Sequence, residues 1–300
     1  MSIQTIGIVS TGDMGHQVGR TLREGGFRIV TALDERSERS RNLAEKAGIE
    51  NVGNLATLIS HADLLLSVMP PAEAVGFASV VAAQMAATGN RPLFADCNAI
   101  APATSRKVAT MITEAGAHYL DAAVIGMPPG RKNPPRLYVS GERPERLQVL
   151  ARPDMIVRTL DGGVGAASAI KMCYAALNKG GMTLEALAII GAAQLGLSVE
   201  LRRELADAQP QMLARIEERL PWLAADAKRW SGEMLEIAKT FSDVGLTPLM
   251  HEGAAEIFQL LADSPLAAET RETADRSRSI EDAVAAFAAS LSARGRDEAD

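Results

Sequence analysis

The turn Gly7-Ile8-Val9-Ser10-Thr11-Gly12-Asp13-Met14-Gly15 has the composition and spacing of a phosphate cradle. Gly12 and Gly15 stand where a G-x-G-x-x-G fingerprint needs its second and third glycines. The second lets the backbone close on a pyrophosphate, and the third lets the following helix pack tightly on the preceding strand. The phosphate then rests on amides at the helix N-terminus. Ser10 occupies the first glycine position, which weakens the fingerprint without breaking it. Asp34 follows Gly15 by nineteen residues, the spacing at which an acidic side chain takes the ribose hydroxyls of a dinucleotide. Arg36 and Ser37, just beyond it, could instead hold a 2′-phosphate. The bland alternative is a solvated Arg36 and an Asp34 that only caps a helix. The expected cofactor is NAD(P). Asp34 argues for NAD and Arg36-Ser37 for NADP, and the sequence leaves that choice open.

These residues need a strand before them and a helix after them, and the pattern supplies both. Ile3 to Val9 is a β-rich run, and helical pattern follows from about Gly15 to Gly25. A second strand is expected over Arg28 to Leu33, then a helix over Ser37 to Ala47 that stops at Gly48. Ala62 to Met69 is almost wholly apolar, as in a strand buried on both faces, and Pro70-Pro71 ends it. Leu93 to Asp96 and Tyr119 to Ile125 complete the strands. Alternating strands and helices imply a Rossmann-type, doubly wound parallel sheet over residues 1–161. Asn98 follows a strand at its carboxyl end, where ligands bind in such sheets. It is a candidate contact for the nicotinamide ribose or the substrate, with a helix cap as the alternative.

Strand signals fade after Asp161-Gly162-Gly163-Val164-Gly165. From Ala166 the chain is rich in Ala, Leu, Met, Glu, Lys and Arg at helical spacing. A first helix is expected from Ala166 through Leu177, extending through Gly180-Gly181 toward Ile190. Others are expected at Glu200–Ala208, Met212–Leu220, Ala224–Ser242, Leu249–Asp263 and Ser279–Arg294. The α/β sheet domain is thus followed by an all-α domain over 162–294, with 295–300 a frayed tail.

Composition narrows the function classes. The 300 residues are 47% hydrophobic and carry a formal charge of −6, which offers no global attraction for nucleic acid or an anionic membrane. The N-terminal residues lack the basic and apolar regions of a signal peptide, and the apolar run Ala186 to Leu197 is too short to span a bilayer. Cys97 and Cys173 form no CxxC, so a reduced, cytoplasmic protein is expected. His16, His61, His118 and His251 show no metal-site spacing. His16 is expected to cap its helix or face solvent. No GxSxG elbow and no Walker A lysine is present.

Four segments together resemble the β-hydroxyacid dehydrogenase and 6-phosphogluconate dehydrogenase superfamily over nearly the whole chain. IGIVSTGDMG resembles its cofactor loop, and ADLLLSVMPPAEAV its fourth-strand segment with a proline-containing turn. LDAAVIGMPPG stands where the substrate stretch Asp-Ala-Pro-Val-Ser-Gly-Gly is expected, and GVGAASAIKMCYAALNKG resembles the segment with the catalytic lysine. The likeness is greatest to a branch with a distinctive helical C-terminal domain. The resemblance implies cofactor contacts from Ser10, Thr11, Gly12, Asp13, Met14, Gly15, Asp34, Arg36, Ser37, Met69, Pro70 and Asn98. It implies substrate contacts from Val124, Ile125, Gly126 and Asn178, and makes Lys171 the general acid/base. Lys171 lies six residues after Gly165 among apolar Ile170, Met172 and Cys173, and desolvation suits a lysine to proton exchange.

Two departures bear on the substrate. The family asparagine four residues after the lysine is replaced by Ala175, with Asn178 one further turn along, and the family serine by Ile125. A pocket with less grip on a small carboxylate is expected. Arg131, Lys132 and Arg136 could receive an anion, though a solvated loop is the simpler account. Trp230 and Phe241 are expected to be core, and Glu233 falls near where relatives often place a lysine. The resemblance implies a dehydrogenase or reductase acting on a hydroxyl or carbonyl. A reductase of imines or bulky carbonyls and a catalytically decayed dinucleotide sensor are the alternatives. A small-molecule substrate and a homodimer are the expected partners.

Overall fold

The computed structural model describes residues 2–130 and 133–297. Arg131, Lys132 and the last three residues of the expected frayed tail lie outside them. The chain divides into two compact units, Met1–Tyr174 and Ala175–Asp300.

The first unit is built on an eight-stranded sheet of order β3-β2-β1-β4-β5-β6-β7-β8. Its strands are β1 (Thr5–Val9), β2 (Arg28–Thr31), β3 (Glu50–Asn51), β4 (Leu64–Ser67), β5 (Leu93–Asp96), β6 (Tyr119–Ile125), β7 (Arg136–Gly141) and β8 (Ile156–Thr159). Every pair is parallel except β6–β7. The helices that link or follow them are α1 (Gly15–Glu24), α2 (Glu38–Ala47), α3 (Leu55–His61), α4 (Pro71–Thr88), α5 (Pro102–Glu114) and α6 (Ala166–Ala175). Strand order reverses between β1 and β4, so the carboxyl ends of those two strands form the crevice where ligands bind in this architecture.

Residues two apart on a strand share a face, and two apolar cores result. Ile6, Ile8, Leu64, Leu66, Ala95, Leu120 and Ala122 pack on one side of the sheet. Leu65, Phe94 and Tyr119 pack on the other, against Val81 and Met85 of α4 and Val108 and Ile112 of α5. At the carboxyl end of that second face the apolar column gives way to a polar row. Ser67, Asp96, Asp121 and Ser140 are direct neighbours across β4, β5, β6 and β7, and all are buried.

The second unit is helical. Helix α6 runs into a π-helical segment, Ala176–Gly180, and then into α7 (Gly181–Gln194). It is followed by α8 (Ser198–Ala208), α9 (Pro210–Arg219), α10 (Ala224–Ser242), α11 (Leu249–Ala262) and α12 (Ile280–Asp297). Trp230, Met234, Ile237, Phe258, Leu261 and Phe287 form its core, with Trp230 edge-on to Phe258 at 5.5 Å.

The expected helices all form, within a few residues. Three strands were not anticipated. β3 is only two residues long, β8 is four with one buried, and β7 is hidden behind a Pro/Gly-rich loop. Helix α12 persists to Asp297, into the stretch expected to fray.

Candidate active site

The glycine turn sits at the β1/β4 switch point. Ser10 N donates to Val68 O at 2.8 Å, and Val68 N donates back to Val9 O, so the two carboxyl-end loops are laced together. Gly15 has no room for a side chain: a Cβ there would lie 1.9 Å from Ser10 O. Above Gly12 the space is open, with only Ser10 Oγ 3.8 Å from where a Cβ would stand. The N-cap of α1, Met14, makes no side-chain cap bond, and the first turn holds no acidic residue. A close-packed third glycine, an open second glycine and an uncapped helix N-terminus suit a pyrophosphate, so the residues present fit a dinucleotide.

Several side chains stiffen this turn. Thr11 is buried and donates to Ser40 O at 2.9 Å, and Asp13 pairs with Arg39 at 2.5 Å. His16 is buried, with Nδ1 2.7 Å from Gly12 O. The expectation that His16 caps its helix or meets solvent is therefore corrected; its ring supports the loop carbonyl. A histidine one position past a glycine turn was the only sequence signal for this.

Asp34 is exposed just beyond β2, its carboxylate lying over Gly53. Arg36 is half-buried, and its carbonyl accepts from Arg41 Nε at 3.0 Å. Ser37 is the N-cap of α2: its hydroxyl accepts from Ser40 N at 3.2 Å and donates to Ser40 Oγ at 3.1 Å. Asn98 is buried and its amide is engaged, accepting from Met69 N at 2.6 Å and donating to Ser67 Oγ at 3.0 Å. It is not the cap of α5, whose N-cap is Ala101. Asn98 thus fixes the loop that carries Met69 and Pro70.

Lys171 stands half-buried on α6, and its Nζ donates to the Val124 carbonyl near the end of β6. Because β1, β4, β5 and β6 run parallel, that places the ammonium on the same sheet edge as the glycine turn. Its charge is felt by Cys97 at the end of β5, where burial, the largest influence, pushes the thiol well above its ordinary range.

Two carboxyl groups lie behind this edge. Asp121 accepts from Ser105 Oγ, Ser140 Oγ, Gly165 N and Ser168 N, each at 3.0 Å, and from Ser168 Oγ at 2.6 Å. Its neighbour Asp96 accepts from Asn98 N at 2.9 Å, while Oδ2 is buried with no partner. Burial pushes the Asp96 carboxyl up to about 7, with the Asp121 charge adding to the effect. Asp121 heads the LDAAVIG stretch, but neither aspartate shows its role in the sequence, because most of the groups around it come from other elements.

The substrate stretch offers little polar surface. Val124 and Ile125 are buried, so they present backbone only, and Gly126 turns the chain at φ +116°. Ala175 is buried. Asn178 belongs to the second unit, on an exposed position of the π-helical segment. Arg136 opens β7. In the second unit Glu233 is buried in an ion pair with Lys179, whose Nζ lies 5.1 Å from the Trp230 ring centre. Trp230 is core, and Phe241 packs on His251 at 5.1 Å. Among the described residues no group of His, Cys, Asp and Glu could hold a metal ion, and no helix is long and apolar enough to cross a membrane.

Residues 5–151 match the NAD binding domain of 6-phosphogluconate dehydrogenase, and residues 192–261 match a domain of unknown function, DUF1932. The chain thus carries the NAD-binding domain of 6-phosphogluconate dehydrogenase, followed by a DUF1932 domain. An uncharacterized oxidoreductase of Synechocystis sp. is 27% identical over 207 residues, 67% of this chain and 71% of that protein. The conserved protein MTH1747, of unknown function and structurally similar to 3-hydroxyacid dehydrogenases, shares 25% identity. Its alignment covers 86% of this chain and 97% of MTH1747, with a TM-score of 0.62. The 3-hydroxyisobutyrate dehydrogenase of Mycobacterium tuberculosis, solved with L-serine, shares the fold at a TM-score of 0.63 and 20% identity, over 95% of this chain and 99% of that one. Against the pattern of the superfamily it resembles, the chain has a lysine at Lys171 but buried apolar residues, Ile125 and Ala175, where serine and asparagine are usual.

Proposed function

We propose that the protein is an NAD(P)-dependent oxidoreductase that interconverts a hydroxyl and a carbonyl, with Lys171 as general acid/base. The observation that carries the proposal is the placement of Lys171 Nζ at Val124 O, on the same sheet edge as the Gly12–Gly15 turn. The bound nicotinamide supplies or accepts the hydride. Every proton falls to the protein. In the oxidative direction a neutral Lys171 takes the hydroxyl proton; in reverse the ammonium returns it.

Exposed Asp34 favours NAD, because a 2′-phosphate beside its carboxylate meets like charge. The capping role of the Ser37 hydroxyl leans the same way. The apolar Ile125 and Ala175 support a substrate held with less carboxylate recognition than in relatives, and bring a bulky carbonyl or an imine within the same reading. Leu184, Leu187 and Ala188 are exposed on α7, with Leu195 just past its end, which supports a homodimer.

The test is a substrate panel with either cofactor, spanning small hydroxyacids, apolar alcohols, ketones and cyclic imines, run on wild type and Lys171→Met. Turnover of an alcohol or ketone that the variant loses supports the proposal. Turnover of imines alone moves the protein to the second reading, and no turnover anywhere rejects the enzyme reading.

A further inference from the structure

Strand β6 grips helix α6 at two points. The Asp121 carboxylate takes two amides at the start of the helix, Gly165 N and Ser168 N, together with the Ser168 hydroxyl. Three residues further along the strand, the Val124 carbonyl takes Lys171 Nζ. The first grip is reinforced from both sides. Ser105 Oγ on α5 and Ser140 Oγ on β7 also donate to Asp121, and Ser140 Oγ accepts Ala167 N at 3.0 Å. Tyr119 OH, 2.9 Å from Ser105 Oγ, extends the network along β6. With five donors on its two oxygens, the Asp121 carboxylate is saturated as an acceptor.

This is more than an ordinary cap needs. An ordinary N-cap is a single side-chain oxygen of the chain itself, from Ser, Thr, Asp or Asn, that takes one of the four orphan amides. Here Gly165, at φ +105°, precedes the helix with no side chain of its own, and a Cβ there would collide with Arg106. The acceptor is supplied instead from the strand whose carbonyl receives the lysine. Any slide or rotation of α6 that moved Lys171 off Val124 would have to pull Ser168 and Gly165 from a buried carboxylate, which is costly.

We propose that Asp121 is the positioning residue of the site: clamped onto the first turn of α6, it sets where along β6 the Lys171 ammonium comes to rest and keeps a buried negative charge behind it. This rests on the role assigned to Lys171 above. The other titratable and charged groups around the clamp are Asp96 and Cys97 at the end of β5, Tyr119 on β6 and Arg106 on α5.

The test measures Lys171 itself as well as turnover. Wild type and Asp121→Asn are labelled with acetic anhydride across a pH series, and acetylation of the Lys171 peptide is followed by mass spectrometry. Loss of the charge and of the grip is expected to move the Lys171 labelling midpoint to lower pH by about half a pH unit or more. It is also expected to raise the labelling rate severalfold, while kcat on any substrate found falls about 10-fold or more. NADH affinity should hold. A variant whose melting temperature drops while the Lys171 profile overlays wild type would show a purely structural cap and overturn the proposal. Should Asp121→Asn not fold, Ser168→Ala keeps the carboxylate and four of its donors. It should still raise the labelling rate, and an unchanged rate there overturns the proposal. If wild type turns over nothing on the panel, the oxidoreductase reading fails, while the labelling result still decides whether Asp121 places Lys171.

Discussion

Asp121 holds Ser168 twice, by its amide at 3.0 Å and by its hydroxyl at 2.6 Å, and so fixes the helix turn just before Lys171 to strand β6. That single contact links the two halves of the chemistry. The sheet presents a dinucleotide cradle on its carboxyl edge, and the helix brings the Lys171 side chain to the same edge. Each half has consequences that can be measured separately.

Lys171→Met keeps the length and much of the packing of the side chain but removes its proton chemistry. Loss of a positioned general acid/base is expected to lower kcat by about 10²- to 10⁴-fold. Cofactor affinity should stay near wild type, because the glycine turn is untouched. A matched loss of affinity would mean that Lys171 serves binding instead. Steady-state kinetics beside a fluorescence titration distinguishes these outcomes.

Gly15→Ala tests the cradle. A methyl group 1.9 Å from Ser10 O cannot be accommodated without moving the turn. NADH affinity is expected to fall by about 10-fold or more, with a loss of stability of about 1–3 kcal/mol from overpacking. Gly12→Ala meets nothing nearer than 3.8 Å in the folded protein. It should leave stability close to wild type while still weakening the cofactor, because its methyl would point into the open space.

Asp96 gives the fold a pH dependence of known sign. Its carboxyl is pushed from 3.8 up to about 7 by burial, then by the Asp121 charge. The folded state therefore holds a proton that the unfolded state has released between those values. Stability must fall as pH rises from about 4 to about 7 and level off above that. The melting temperature of wild type should drop across that interval relative to Asp96→Asn. The effect is on the order of a few kcal/mol at most. Parallel pH profiles for the two proteins would show that Asp96 is not the source.

How far the sequence carries the fold can be argued from these same residues. The Gly12–Gly15 turn, the strands Leu93–Asp96 and Tyr119–Ile125 and the helices of the second unit are legible because each rests on local pattern. β3 and β8 are too short to show a period, and β7 follows a Pro/Gly-rich loop that masks it. Within the site, the residues that resemble the superfamily stand out in one dimension. Asp96 and His16 do not, and Asp121, though it heads the LDAAVIG likeness, gives no sign there of its role. Their importance lies in partners on other elements: Asp121 with Ser168 across 47 positions of chain, Asp96 beside Asp121 on the next strand. Register across a sheet decides such pairs, and no single segment encodes it. Asn98 illustrates the converse. Its position at a strand end is readable, yet both ends of its amide go to Met69 and Ser67.

The proposed homodimer can be tested on the exposed side of α7. Leu184 and Leu195 are 67% and 75% exposed, and Gly191 has open space beside it. Apolar positions repeating along one helix face usually meet a partner. Light scattering is expected to give twice the 31.7 kDa chain mass, and Leu184→Glu should return the protein to monomer. A wild-type mass equal to one chain would contradict this.

The most direct test of the central claim is a titration of the purified protein with NADH and with NADPH, following nicotinamide fluorescence. Saturable binding is expected, with NADH the tighter by about 10-fold because of Asp34. Tighter NADPH would transfer the ribose contact to Arg36 and leave the cradle intact. If neither binds well above cellular cofactor levels, then Ser10 at the first glycine position has closed the site, and the oxidoreductase account is wrong.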